Sequence, residues 1–197
     1  HTICSLCVGV CPNMALMTYA SEPFATTLPR LRVEDGSIVA DGREAYRAEQ
    51  ALQIAVLTDF CNECGNCVTA CPTSGRPYRD KPRLYLDPAE FEAELDNAFM
   101  LFDDGSVEGR FGGQTHRLSV NGVVEYVSPS VSASFEIDTL ALMDVTAGDG
   151  VSAEPSLRPA ADMYVLWRGL ARSMAHLPRS RAAAAAGVRI AHPGYEE

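Results

Sequence analysis

Lysine is almost missing from this sequence: Lys81 stands alone beside fifteen arginines. That bias reflects base composition more than chemistry. Positive charge as a whole is scarce, with 16 Lys and Arg against 26 Asp and Glu and a formal net charge of −10. Such a balance argues against nucleic acid as a partner, because phosphates demand a basic surface. Surplus carboxylate suits docking to a basic partner, and equally well it merely keeps a protein in solution. No apolar run approaches the roughly 20 residues of a membrane helix, and no basic, apolar and small-residue succession at the start suggests a signal peptide. A partner for every cysteine is missing too: there are seven, and an odd number cannot form a closed disulfide framework. A reducing cytoplasm is the expected setting.

The cysteines fall into two tight groups. In "CNECGNCVTACP", Cys61, Cys64, Cys67 and Cys71 follow the spacing C-x2-C-x2-C-x3-C-P. In "HTICSLCVGVCP", Cys4, Cys7 and Cys11 keep C-x2-C-x3-C-P, and His1 occupies the place of the missing first cysteine. This internal repeat dominates the sequence. A single C-x2-C is weak evidence, shared by zinc ribbons and redox dithiols. Two runs each closed by Cys-Pro favour iron–sulfur ligation over structural zinc, which would leave three cysteines unexplained. The order C-x3-C-x2-C of radical enzymes that use S-adenosylmethionine does not occur.

A [4Fe-4S] cubane needs four thiolates around one compact body. Three close cysteines wrap one side, and in paired bacterial runs the fourth cysteine of each run ligates the other run's cluster. Applied here, Cys61, Cys64, Cys67 and Cys11 form one ligand set, and Cys4, Cys7 and Cys71 form the other, which lacks a fourth member. His1 has the right spacing, and imidazole ligates iron in Rieske centres. A terminal residue is poorly held, however, so the fourth ligand is expected instead from sequence preceding this stretch in a longer chain. Gly9 and Gly65 offer backbone freedom beside the clusters, or merely tight turns. Ile3, Leu6, Val8, Val10, Val68 and Ala70 are expected to exclude water. His116, His176 and His192 pair with no evident nucleophile, so no general acid, base or nucleophile is assigned.

The chain is expected to be α+β, a ferredoxin-like two-cluster domain over residues 1–97 followed by a small antiparallel β region with a C-terminal helix over 98–197. Residues 18–60 form an insert between the runs. It contains a hairpin around Asp35-Gly36 and a buried strand in "LQIAVLTDF". Asp87, Pro88 and Glu90 mark a helix start, and the helix is expected to reach about residue 98. Hairpins follow around Asp104-Gly105 and Asn121-Gly122, giving a small sheet over about 98–136. Residues 146–159 read as a linker. A helix from about Ala160 to His176 then carries Met163, Leu166, Trp167, Leu170 and Met174 at helical spacing. The last twenty residues are expected to fray.

The stretch "FCNECGNCVTACPTSGRPYRDKPRLY", with Gly75, Pro77, Tyr78, Asp80 and Lys81 after the cysteines, is more particular than a generic ferredoxin motif. With "CVGVCPNMA" in the first run, it resembles the C-terminal iron–sulfur region of the selenate reductase-like family, large oxidoreductases related to the glutamate synthase small subunit. The likeness covers both cysteine runs and, beyond about residue 95, only an outline. It implies an upstream part that draws electrons from NAD(P)H through flavin into the clusters, so flavin and NAD(P)H belong to that part or to a partner. It further implies an upstream flavoprotein domain or separate redox partner, with a molybdenum hydroxylase among the candidates. A free-standing ferredoxin-like carrier subunit and, in another class, a metal-pinned structural module remain the alternatives.

Overall fold

The computed structural model describes residues 4–34, 37–150, 154–177 and 179. Eleven strands and five helices are seen among them, an α+β arrangement. Strand β1 (Leu16–Ala20) follows the first cysteine run and its one-turn helix α1 (Leu6–Gly9). A long hairpin of β2 (Phe24–Glu34) and β3 (Ser37–Ala48) stands apart as a two-stranded sheet. Its expected Asp35-Gly36 turn lies outside the described residues. The chain returns through β4 (Leu52–Leu57), and a 3-10 turn over Thr58–Phe60 delivers it to the second run and helix α2 (Asn66–Thr69).

After α2 come α3 (Pro77–Asp80), the two-residue strand β5 (Arg83–Leu84) and α4 (Pro88–Ala93). Asp87 caps α4 as the sequence predicts, its carboxylate accepting from the backbone N–H of Ala89 and Glu90. The helix is shorter than expected. Glu94 turns extended, and its carboxylate receives two bonds from the Arg83 guanidinium at 2.8 and 2.9 Å, which ties the helix end to β5. Strands β6 (Ala98–Leu101), β7 (Val107–Phe111), β8 (Gln114–Val120), β9 (Val123–Val127), β10 (Val131–Glu136) and β11 (Leu142–Ala147) then run as a meander. Helix α5 (Arg158–Ser173) is the last described element.

The small separate sheet expected over 98–136 is corrected here. One nine-stranded mixed sheet runs in the order β1-β4-β5-β6-β7-β8-β9-β10-β11. The joint is β5, parallel to both β4 and β6. Parallel pairing between segments separated by helices leaves no local turn signal, so the sequence showed only the hairpins. Strand β11 likewise overlaps the start of the expected linker at 146–159.

Side chains alternate across this sheet as strand geometry requires. Ala55, Leu57, Leu84 and Phe99 face α5, whose Met163, Leu166 and Leu170 form the predicted buried stripe. Tyr126 and Phe135, both fully buried, extend the same core. Each such side chain contributes roughly 1.5–3 kcal/mol relative to exposure. The other face divides in two. Ala98 and Met100 pack with Phe91 of α4, while Leu16, Ile54 and Val56 pack on the cysteine loops. Trp167 donates its indole N–H to the Gly105 carbonyl at 2.9 Å, fastening α5 to the β6–β7 turn.

Candidate functional site

The two cysteine runs fold alike, residue for residue at a spacing of sixty. Val8 N–H donates to the Ser5 carbonyl, Cys11 to Val8 and Met14 to Cys11, and the same bonds recur as Val68 to Gly65, Cys71 to Val68 and Ser74 to Cys71. Met14 and Ser74 both take the left-handed conformation, with φ of 52° and 55°. A backbone N–H also reaches the last sulfur of each run. Ala15 N–H donates to Cys11 Sγ at 3.3 Å, and the Gly75 N–H acts on Cys71. Of the two glycines, Gly65 is conformationally required, with φ of 82° at the start of α2; its counterpart Ser5 has φ of −108°.

Between the runs lies a small apolar core of Cys7, Leu16, Ile54, Val56 and Cys67, with Val8, Val68 and Tyr78 against it. Leu6 and Val10, expected to exclude water, are instead exposed, as is Met14. A short helix presents one face only, and Cys7 and Val8 occupy the inner face of α1.

The structure brings Cys11 into the company of the second run: Cys11, Cys61, Cys64 and Cys67 line a single cavity, walled by Leu16, Phe60 and Tyr78. Burial pushes the Cys61 thiol up, opposed by the Glu63 N–H and reinforced by neighbouring Cys11 and Cys67. On the other side, burial likewise pushes Cys7 up, against the Val8 N–H and the positive charge of Lys81. Cys71 is held below the ordinary thiol range, first by the Thr73 hydroxyl, whose oxygen lies 3.3 Å from the sulfur, and then by the Thr73 and Gly75 amides, with Lys81 adding to them. Lys81 therefore sits where its charge reaches both Cys7 and Cys71. Cys4 is exposed, and His1 lies outside the described residues. His116 is a core residue, its Nδ1 2.7 Å from Tyr126 Oη.

The donor set fits a cubane in its chemistry: four thiols ring a cavity, amides turn toward sulfur, and apolar walls surround it. Among the described residues no three His, Cys, Asp or Glu groups converge as a single metal ion requires. Thr73 and Lys81 had no assigned role at the sequence level. Thr73 directly follows the Cys71-Pro72 turn and lies against the sulfur, whereas Lys81 follows α3 and acts through its charge. Asn97 escaped notice too; its side-chain amide bonds the carbonyls of Arg79 and Lys81 at 2.7 and 2.8 Å and fixes the α3 segment.

Two such runs on one α+β scaffold are the arrangement that holds iron–sulfur clusters and supports an electron-transfer role. Comparison with known proteins agrees: residues 2–72 match the family model described as the 4Fe-4S dicluster domain. The chain is also similar to "Putative oxidoreductase YgfK" of Escherichia coli K12 and of Escherichia coli O157:H7, at 29% identity over 119 residues in each case. That alignment covers 60% of this chain but 9% of the relative, so the chain spans only about a tenth of the curated relatives it matches. These likenesses are to a 4Fe-4S dicluster domain and to an oxidoreductase, and they do not single out selenate reduction. No solved structure matches significantly. No described helix is long and apolar enough to cross a membrane.

Proposed function

We propose that this chain is the iron–sulfur portion of a larger flavin-dependent NAD(P)H oxidoreductase of the selenate reductase-like type. Cys61, Cys64, Cys67 and Cys11 hold one [4Fe-4S] cluster, and Cys4, Cys7 and Cys71 hold the second. Each cluster, when bound, accepts and releases one electron. The observation that carries the reading is Cys11, which leaves its own run to line the cavity of the other. The remaining residues tune the site. Amides of Ala15 and Gly75 and the Thr73 hydroxyl donate toward sulfur, Lys81 supplies positive charge, and Val8, Val68 and Leu16 keep water from the inner face. Flavin and NAD(P)H belong to another part of the oxidoreductase or to a partner such as a molybdenum hydroxylase. The small share of the YgfK relatives that aligns supports a larger whole. A reducing cytoplasm suits seven free thiols.

Iron and acid-labile sulfide per chain, measured on anaerobically prepared protein, test the proposal together with visible absorbance. Absorbance at roughly 400 nm that bleaches with dithionite is the expected result. Bound zinc, or colour that no reductant changes, refutes electron transfer and leaves a metal-pinned structural module. Loss of iron on His1→Ala would assign His1 to the second cluster; unchanged iron would exclude it.

A further inference from the structure

A cavity of about 510 Å³ opens between α5, the β2–β3 hairpin and the sheet, away from the cavity that the cysteines line. Its lining combines an apolar wall with a few aimed polar groups, the usual make-up of a small-molecule site. Phe99 and Phe111 meet edge to face at 5.8 Å, and Val165 and Leu166 of α5 continue the wall. Tyr46 Oη donates to Asp162 Oδ1 at 2.9 Å, which fixes the carboxylate and leaves Oδ2 without a hydrogen-bond partner among the described residues. Tyr19 is only 4% exposed, its ring wedged against Gly169, and it too lines the cavity. Among the described residues its hydroxyl has no hydrogen-bond partner. The hydroxyl is therefore free to meet whatever fills the cavity. A donor and an acceptor thus face one half-open cavity without a protein partner.

We infer that this cavity binds a small, uncharged, planar heterocycle bearing a lactam edge, whose N–H is accepted by Asp162 and whose carbonyl is met by the Tyr19 hydroxyl. Three carboxylates, Asp80, Asp96 and Asp162, against one Arg47 in the lining disfavour anionic ligands such as phosphate esters. The flat apolar wall of Phe99 and Phe111 selects a planar body. Burial raises the Asp162 carboxyl above its ordinary range, a sign of a partly dry setting in which one good hydrogen bond counts for more. Asp80 joins this cavity to the cysteine loops. Its carboxylate takes the Arg76 N–H at 2.5 Å, and both it and Cys71 Sγ come within 3.5 Å of the point where a Cβ on Gly75 would stand. A ligand here is separated from Cys71 by Asp80 and Gly75. Binding itself does not depend on the cluster assignment, so the two readings fail separately.

Lumiflavin is a suitable probe, being planar, free of phosphate and fluorescent, with a lactam edge. Titration into the purified chain is expected to give saturable quenching. Asp162→Asn is expected to weaken binding about tenfold, the loss of one good hydrogen bond to a charged acceptor. Tyr19→Phe is expected to weaken it several-fold, and Val165→Trp to block it while iron content stays unchanged. Absence of saturable quenching overturns the inference. So does quenching that Tyr19→Phe and Val165→Trp leave intact, which would place the probe elsewhere.

Discussion

Gly169 is the point at which α5 comes closest to the sheet, and replacing it by alanine should damage the fold that supports the cysteine loops. A Cβ there would stand 2.6 Å from Tyr19 Cδ2, 2.7 Å from Cε2 and 3.0 Å from the Ala20 carbonyl oxygen. On an exposed helix the same change stabilises by about 1 kcal/mol, through propensity alone. Here the ring cannot swing away, because Tyr19 is buried and lies in β1, paired with Gln53 of β4. The Ala20 carbonyl is backbone and equally fixed, with the Ala20 N–H held by Ser173 at the end of the same helix. Overpacking of this kind costs about 1–3 kcal/mol, and a contact of 2.6 Å belongs at the upper end. The net expectation is a loss of about 2 kcal/mol, or about 4–8 °C in thermal midpoint for a domain of this size. Thermal melts of both proteins at one scan rate, with iron content matched, provide the assay. A Gly169→Ala protein as stable as the original, or more so, would show that α5 and β1 are not packed as described.

Two further outcomes follow from single residues. His116 is buried against Tyr126 and Phe111, and burial pushes its pKa down to about 4 from 6.5. The unfolded chain therefore takes up a proton between pH 6.5 and 4 that the folded chain refuses. Stability from this residue is full above 6.5, declines as pH falls to about 4 and is flat below, by about 2 kcal/mol once partial solvent access is allowed for. Denaturant melts across that range should show a shallower decline for His116→Gln, and equal slopes would refute the assignment. Thr73→Val removes the hydroxyl beside Cys71 Sγ. Donors to sulfur favour the reduced cluster, so one of two midpoint potentials should fall while the other stays put, read by EPR-monitored titration. Unchanged potentials would separate Thr73 from any cluster.

How far the sequence could be read depended on how local each signal was. The cysteine spacing, the Asp87 cap, the apolar stripe of α5 and the Gly105 and Gly122 turns are local patterns, and all have structural counterparts. Strand β5 is two residues long and parallel to both neighbours, so nothing near Arg83 and Leu84 announces that it joins the two halves of the sheet. Leu6 and Val10 misled for a related reason: apolar residues in a one-turn helix carry no periodicity from which to choose a face. Lys81 and Asn97 act on groups that only folding brings near, Cys71 and the end of α3, which composition does not reveal. The cavity that holds Tyr19 and Asp162 joins residues 143 positions apart in the chain and was out of reach of any motif.

The central claim is that Cys11 serves the second run's cluster. It is tested most directly by comparing Cys11→Ser, Cys64→Ser and Cys7→Ser for iron, sulfide and the EPR spectrum after dithionite. The account predicts that Cys11→Ser and Cys64→Ser lose the same signal, and that Cys7→Ser keeps it. If Cys11→Ser instead behaves like Cys7→Ser and leaves the Cys64 signal intact, each run holds its own cluster and the account is wrong.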